Sequence, residues 1–318
     1  MAEPTLHWRE LLLDERAEGR RVDVYLSLRF EGYSRAAMAR FVSKGAVLSV
    51  GRTLKPSSLL HAGERLRLLI PGIAPDAPPP ELPPIVYEDD RFIAFDKPAG
   101  MLVHPAGQQF VYALIGLARR ARPIPSLDLV HRLDRETSGV VLLAKDVEAN
   151  AFVKEAIKHH RVTKTYQAIA RGLVPWESTL VDAPIGSAPS SIVRVRRGVV
   201  PHGLVSKTEV KVLRRMAAHT LVECRPISGR THQIRLHLEH TGFPILGDKL
   251  YGQRDEVFLE WLREGGTTAV KDAIGFPRHA LHAASLVFPH PRGSTVRIHA
   301  PLATDMQAIV DGAKPIWP

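Results

Sequence analysis

The sequence predicts an α+β chain in two parts, and three observations predict it. Residues 71–84, PGIAPDAPPPELPP, hold seven of the 25 prolines. Proline at that density builds neither helix nor central strand, so the stretch reads as an extended linker between a module at 1–70 and a larger domain at 85–318. Within the first part a helical pattern is followed by strand patterns, and the second carries short apolar runs of strand length at 91–95 and 139–144. A composition of 45% hydrophobic and 24% charged residues excludes global disorder.

At the amino terminus, MAEPTLHWRELLLDERAEGRR places acids and arginines around one short apolar patch. That order is not a secretory signal, and no apolar run approaches the roughly 20 residues that span a bilayer. A cytoplasmic protein without membrane association is expected. Ser34 then reads as the N-cap of a helix with Met38, Phe41 and Val42 on one face, and Gly45 as its left-handed terminator. Residues 47–50 read as a strand entering a turn at Gly51-Arg52, and Arg65-Leu66-Arg67-Leu68 after Gly63 alternates as a half-buried strand. The polar side of this unit presents Arg35, Arg40, Lys44, Arg52 and Lys55, either for phosphate contact or as a solvated face.

Taken with Asp23 and the Gly63-Glu64 turn, these features make residues 17–70 resemble the small alpha-L RNA-binding module of ribosomal proteins and RNA-modifying enzymes, with Ser49-Val50-Gly51 where that family usually has valine-asparagine-glycine. The resemblance implies a small α/β RNA-binding module, with Arg35, Arg40 and Lys44 as RNA contacts.

The charge pattern agrees with a polyanionic partner. Lysine and arginine number 43 against 33 acidic residues, a net +10. Eleven basic and six acidic residues occupy 11–70, and twelve basic against four acidic occupy 154–215, whereas 71–96 carries one against six. Such blocks favour nucleic acid or an anionic membrane surface over a uniform solubilising coat. The single Cys224 excludes an internal disulfide framework and a cysteine-cluster metal site.

In the larger part, the strand at 91–95 ends in the turn Asp96-Lys97-Pro98-Ala99-Gly100, and residues 101–105 are expected to resume extended structure. Residues 125–145, PSLDLVHRLDRETSGVVLLAK, then set a dense polar cluster, His131 to Ser138, directly before an apolar strand. A scaffold strand commonly positions catalytic groups on such a loop. A carboxylate flanked by arginines stays ionised near neutral pH, so Asp134 reads as a nucleophile, a base, or a member of a structural Asp–Arg network. The chain has no phosphate-binding glycine loop, H-E-x-x-H or G-x-S-x-G elbow. His232, His237 and His240 are close in sequence, but without cysteine or carboxylate at ligand spacing they read as a polar or packing set, and no metal is expected. A short helix is expected at 255–263, before Gly265-Gly266.

The string HRLDRETSGVVLLAK resembles the signature of the RluA-type pseudouridine synthases. Five further stretches follow in that family's order: Asp96 to Gly100 with Val103-His104-Pro105, Lys164-Thr165-Tyr166, Ser228 to Arg235, Gly247 to Gly252, and Leu281-His282-Ala283. They cover about residues 90–290. The resemblance implies a mixed-sheet catalytic core with a central cleft and an isomerisation that needs no cofactor. Asp134 would be the essential aspartate, attacking the ribose or acting as a base, and Arg132 would fill the space left by a flipped base. Tyr166 would pack on the target ring and assist proton removal, Arg235 would pair with Asp134, and Ile234 would wall the uracil pocket. Arg230 would touch phosphate or the aspartate. Residues 194–197 would be a phosphate-contacting or a solvated loop.

The expected partner is RNA, ribosomal RNA of the large subunit before transfer RNA, with no protein partner required. A non-catalytic RNA-binding or ribosome-assembly protein and a nucleoside hydrolase releasing uracil are the rivals from other classes.

Overall fold

The computed structural model describes residues 7–29, 35–70, 81–104, 113–314 and 317. The Ser34 cap, residues 71–80 of the proline-rich stretch and Pro105 lie outside them. The chain divides into two compact units, residues 1–82 with 102–125, and residues 83–101 with 126–318.

In the first unit, β1 (His7–Leu12), β2 (Val47–Ser49) and β3 (Arg65–Ile70) form an antiparallel sheet in the order β1-β3-β2. Two helices, α1 (Val22–Arg29) and α2 (Arg35–Ser43), precede β2. Met38 and Val42 on α2 are buried with Val22, Leu26, Leu60 and Leu66, and Phe41 packs at the edge. Gly45 ends α2 at φ +72°, with the Ala46 N–H returning to the Phe41 carbonyl at 3.0 Å, as expected of a left-handed terminator. The alternation of β3 is also as read: Leu66 and Leu68 are buried, Arg65 and Arg67 exposed.

Residues 101–104 do not form the expected strand. The carbonyls of Leu102 and Val103 instead accept the N–H groups of Leu114 and Ile115 at 2.8 and 3.2 Å. They thereby satisfy orphan donors at the start of α3 (Leu114–Ala121), a helix the sequence reading did not contain.

The second unit is built on a ten-stranded mixed sheet, in agreement with the expected α+β class. In chain order it uses β4 (Ile85–Glu88), β5 (Phe92–Lys97), β6 (Asp128–Leu129) and β7 (Ser138–Ala144). After α4 (Val147–Lys158) come β8 (Thr163–Arg171) and β9 (Ser178–Asp182). A separate two-stranded ribbon, β10 (Ile185–Ser187) with β11 (Arg197–Val199), interrupts the sheet. It resumes with β12 (Lys207–Arg215) and β13 (His219–Pro226). The helices α5 (Gln233–His240), α6 (Asp255–Glu264) and α7 (Thr268–Ile274) precede β14 (Leu281–Pro289), β15 (Thr295–His299) and α8 (Thr304–Val310).

The spatial order is β4-β5-β7-β14-β8-β13-β12-β9, with β6 on β7 and β15 on β14. Every pairing is antiparallel except β7 with β14, where Ser138 faces His282 and Gly139 faces Ala283. Gly139 is required there. Its φ is +106°, and a Cβ would collide with the Ala283 carbonyl. All seven residues of β7 are buried, because α4 covers one face through Ala149 and Val153 and other side chains fill the opposite one. On the other half of the sheet, α5 and α8 contribute Ile234, Leu238, Met306 and Ile309 to a core with Ala168, Val210 and Val222.

Candidate active site

The loop between β6 and β7 carries Asp134, and its backbone is tied from several sides. The Thr137 N–H returns to the Asp134 carbonyl at 3.1 Å, closing a turn. The Arg135 carbonyl accepts from the Gly100 N–H at 2.8 Å and from Lys97 Nζ at 3.1 Å. Lys97 is fully buried and also donates to the carbonyls of Pro98 and Met101 at 2.8 and 3.0 Å. Burial lowers its pKa to about 7, with Arg278 adding repulsion, while the three carbonyls use all three N–H donors of the ammonium. Further along, Ser138 Oγ bonds His282 Nδ1 at 3.0 Å, and Thr137 Oγ1 bonds His279 Nε2 at 2.8 Å.

A single guanidinium orients the carboxylate. Arg235 Nη1 donates to Asp134 Oδ2 at 3.0 Å. Its Nε and Nη2 donate to the two oxygens of Asp248 at 2.6 and 2.9 Å, a bidentate pair. Asp248 also accepts the N–H groups of Leu250 and Tyr251, each at 2.9 Å. Burial opposes ionisation of both Arg235 and Asp248, but their mutual attraction outweighs it. Arg235 is therefore held above, and Asp248 below, its ordinary pKa.

The turn before α5 delivers Arg235. Gln233 Oε1 accepts from Ser228 Oγ and the Arg230 N–H at 2.8 and 3.0 Å, and Gln233 Nε2 donates to the Lys207 carbonyl at 2.9 Å. His232 is left-handed at φ +61°, a conformation costing a β-carbon residue on the order of 1–3 kcal/mol. It is held there by a 3.0 Å bond between its Nδ1 and the Tyr251 hydroxyl, which itself accepts the Arg197 N–H at 3.0 Å. His232 Nε2 lies 3.9 Å from Asp134 Oδ2. Burial and then Arg235 push the His232 pKa down to about 4, so the ring is neutral near pH 7. The Tyr251 ring lies under Arg235, 5.0 Å from the guanidinium carbon to the ring centroid.

Tyr166 is half-buried on β8, paired with Cys224 of β13 and Ala283 of β14, and packs beside the core that holds Ile234. Burial, and then the charge of Asp134, raise its pKa, so the phenol stays protonated. No hydrogen bond to its hydroxyl, nor to Asp134 Oδ1, occurs among the described residues.

The structure thus brings Asp134, Arg235 and Tyr166 into one electrostatic neighbourhood, and treats the other candidates differently. Arg132 is exposed and without a polar partner among the described residues. Arg230 is exposed, and its Nε reaches the Val205 carbonyl at 3.4 Å rather than Asp134. Ile234 is buried in the core cluster. In the first unit, Arg40 and Lys44 are exposed, whereas Arg35 Nε binds Asp23 at 2.9 Å, beside the bidentate Arg21–Asp23 pair. In the 194–197 stretch, Arg196 binds Glu239 and Asp255 at 3.0 and 2.8 Å, which makes it a structural tie. Asp248 and Tyr251 lie within the Gly247 to Gly252 string, but the sequence alone gives neither of them a part in the site. Their signal was an acid and a phenol bracketed by two glycines at φ +79° and +75°.

The three histidines do not form a metal cluster. His237 binds Thr208 Oγ1 and the Ala183 carbonyl at 2.8 and 3.0 Å, and His232 is engaged as above. Asp89, Asp90 and His290 do place ligand-type atoms within 4.8 Å of one another. However, His290 Nδ1 accepts the Arg292 N–H at 3.1 Å, so the proton sits on Nε2, the atom facing Asp89, and leaves no lone pair for a cation.

Residues 91–240 match the RNA pseudouridylate synthase family. Ribosomal large subunit pseudouridine synthase D of Xanthomonas campestris is 35% identical over 314 residues, spanning 96% of this chain and 92% of that protein. Ribosomal large subunit pseudouridine synthase C of Escherichia coli is 37% identical over 302 residues, spanning 89% and 90%. The solved structure of human RNA Pseudouridylate Synthase Domain Containing 4 superposes with a TM-score of 0.55 at 28% identity, covering 71% of this chain and 91% of that one. The chain belongs to the RNA pseudouridylate synthase family, the RluA-type isomerases that convert uridine to pseudouridine in RNA.

Proposed function

We propose that this chain isomerises specific uridines of large-subunit ribosomal RNA, with Asp134 as its catalytic carboxylate. One observation carries the assignment of Asp134: one of its oxygens is fixed by Arg235 at 3.0 Å, while the other meets no protein donor among the described residues. A held but half-free carboxylate can attack C1′ of the ribose or take a proton. The names of the relatives, both ribosomal large subunit synthases, support the substrate. A target in ribosomal RNA fits a cytoplasmic site of action.

Uridine and pseudouridine are isomers. The N1–C1′ bond breaks, the base turns, C5 bonds to C1′, C5 loses a proton and N1 gains one. Atoms and electrons balance without an oxidant or co-substrate, so no cofactor enters. Burial keeps Tyr166 protonated, which suits its ring to stacking on uracil and its hydroxyl to relaying a proton rather than standing as a base. A stacked target base must leave the helix to be reached. The exposed Arg132, two residues from Asp134, suits the vacated space because its planar cation stacks on bases. Exposed Arg230 suits phosphate. Ile234 contributes to the apolar floor beside Tyr166. Arg40 and Lys44 on α2 add phosphate contacts, with Arg35 oriented by Asp23.

The test is Asp134→Asn assayed on large-subunit ribosomal RNA transcribed with uridine tritiated at C5. We expect tritium release to fall at least about 1,000-fold with RNA affinity retained; release at the wild-type rate would overturn the assignment. Mapping pseudouridines in cellular RNA with and without the protein decides between ribosomal and transfer RNA.

A further inference from the structure

Asp248 and Lys249 are consecutive residues that reach the same loop at two places. Asp248 holds Arg235, which holds Asp134 at 3.0 Å. Lys249 Nζ binds Glu136 Oε1 at 2.6 Å, and Glu136 stands two residues after Asp134 in the same turn. The charges alternate across the junction: a buried acid reaches Asp134 through a cation, and a buried cation reaches Glu136 directly.

We propose that the Glu136–Lys249 pair is a positioning device that fixes the direction of the Asp134 carboxylate. The idea rests on reading Asp134 as the catalytic group. Lys249 is almost completely enclosed, with a side chain 5% exposed, and also donates to the Pro277 carbonyl at 2.7 Å. Glu136 Oε2 accepts the His279 N–H at 3.1 Å, and the Glu136 carbonyl accepts Arg278 Nη1 at 3.3 Å. Both ends of the pair are thereby fastened to the chain entering β14. Asp134 alone could pivot about its single bond to Arg235. Anchoring position 136 narrows that freedom, because it holds the backbone of the turn from which the Asp134 side chain departs.

A buried ion pair is weak evidence for a stabilising role, because an apolar pair of the same shape commonly serves as well. Geometry is what such a pair supplies, and misplacement of a reacting group by about 1 Å can cost on the order of 100-fold in rate.

The device has a roof. Lys249 Nζ sits 4.7 Å over the ring centroid of Trp261 on α6. Gly266 lies against the other part of that ring, where a Cβ would meet Trp261 carbons at 2.6 and 2.7 Å. Trp261 on α6 is thus connected to the Asp134 turn through Lys249.

The experiment uses full-length Lys249→Met, Glu136→Gln, their double variant and Trp261→Leu. Each is assayed for kcat and KM by tritium release from the transcribed large-subunit ribosomal RNA, beside Asp134→Asn. Lys249→Met and Glu136→Gln should each lower kcat about 10- to 100-fold with KM within about twofold of wild type. The double variant should be no slower than the slower single one, because the pair acts as a unit. Trp261→Leu should give a smaller loss, also in kcat. Should Lys249→Met fail to fold, the isosteric Glu136→Gln decides. Wild-type kcat in Glu136→Gln, a loss carried by KM, or losses that multiply in the double variant would each overturn the proposal. Activity retained in Asp134→Asn would instead overturn the assignment beneath it.

Discussion

Asp134 and Asp248 share one guanidinium, but unequally. Asp248 takes two of the Arg235 nitrogens at 2.6 and 2.9 Å, and Asp134 takes one at 3.0 Å. The buried carboxylate with the better geometry fixes the cation, and the cation then presents its remaining N–H to the half-exposed one. In the proposed reading of Asp134 as the catalytic carboxylate, the arrangement separates the tasks of neutralising Arg235 and of doing chemistry.

Asp248→Asn is therefore expected to do two kinds of damage. Leaving Arg235 buried without its anion should cost about 3–5 kcal/mol of stability, read from denaturant midpoints. Arg235 would also turn toward Asp134, so kcat should fall by at least about tenfold in whatever fraction remains folded. A variant with wild-type stability and rate would show that the shared guanidinium is incidental.

Lys97→Met should destabilise the second unit without touching the carboxylate itself. The side chain fits, but the carbonyls of Pro98 and Met101 lose their donor, while that of Arg135 keeps the Gly100 N–H. At about 1–3 kcal/mol for each orphaned acceptor, a loss of about 2 kcal/mol or more is expected in urea titrations. Glutamine, too short to reach all three, should not restore it.

Acid should weaken the fold well before the carboxylates titrate. Burial pushes His131 down to about 3 and His232 and His282 down to about 4, each from 6.5. Between pH 6.5 and about 4 the unfolded chain accepts protons that the folded chain refuses. Stability is thus full above pH 6.5 and falls as the pH drops, by up to about 1.4 kcal/mol per pH unit for each ring. Unfolding midpoints measured across that window should show the slope, and His232→Gln should flatten it by about one ring's share.

Gly139→Ala should be among the most damaging single-methyl changes in the chain. The backbone there is left-handed, and the added carbon collides with the Ala283 carbonyl. The cost should exceed about 3 kcal/mol, measured as soluble yield and melting temperature.

On the first unit, the exposed Arg40 and Lys44 should govern electrostatic affinity. Replacing both by alanine should lower the slope of log affinity against log salt by about 0.7–1 per side chain, in filter-binding titrations with the ribosomal RNA transcript. Arg35→Ala should cost stability as well, because Arg35 is already bonded to the buried Asp23.

Local signals carried the sequence reading where they sufficed. Gly45, the alternation of β3 and the apolar run of β7 each declare themselves within a few residues, since left-handed backbone, half-burial and full burial each leave a short compositional mark. β1 left none: HWRELL does not alternate cleanly, and its partner strand lies more than fifty residues downstream. Residues 101–104 looked extended because they are apolar and near proline, yet their carbonyls serve a helix that begins at Leu114. Within the site, Asp134, Tyr166 and Arg235 were marked by motif. The partners that hold them, Lys97, Glu136, Asp248 and Lys249, acquire their meaning only from pairings made by the folded chain.

The placement of β14 between β7 and β8 bears on when this enzyme comes into being. Asp134 precedes β7 and Tyr166 lies on β8, and the strand joining their two halves of the sheet begins only at Leu281. Until the strand that begins at Leu281 is made, the chain holds Asp134 and Tyr166 and no seam between them. Closure of such distant contacts is slow relative to local structure. Insertion of β14 between β7 and β8 is thus a long-range step of folding, and it is the step that joins the strand after Asp134 to the strand that carries Tyr166.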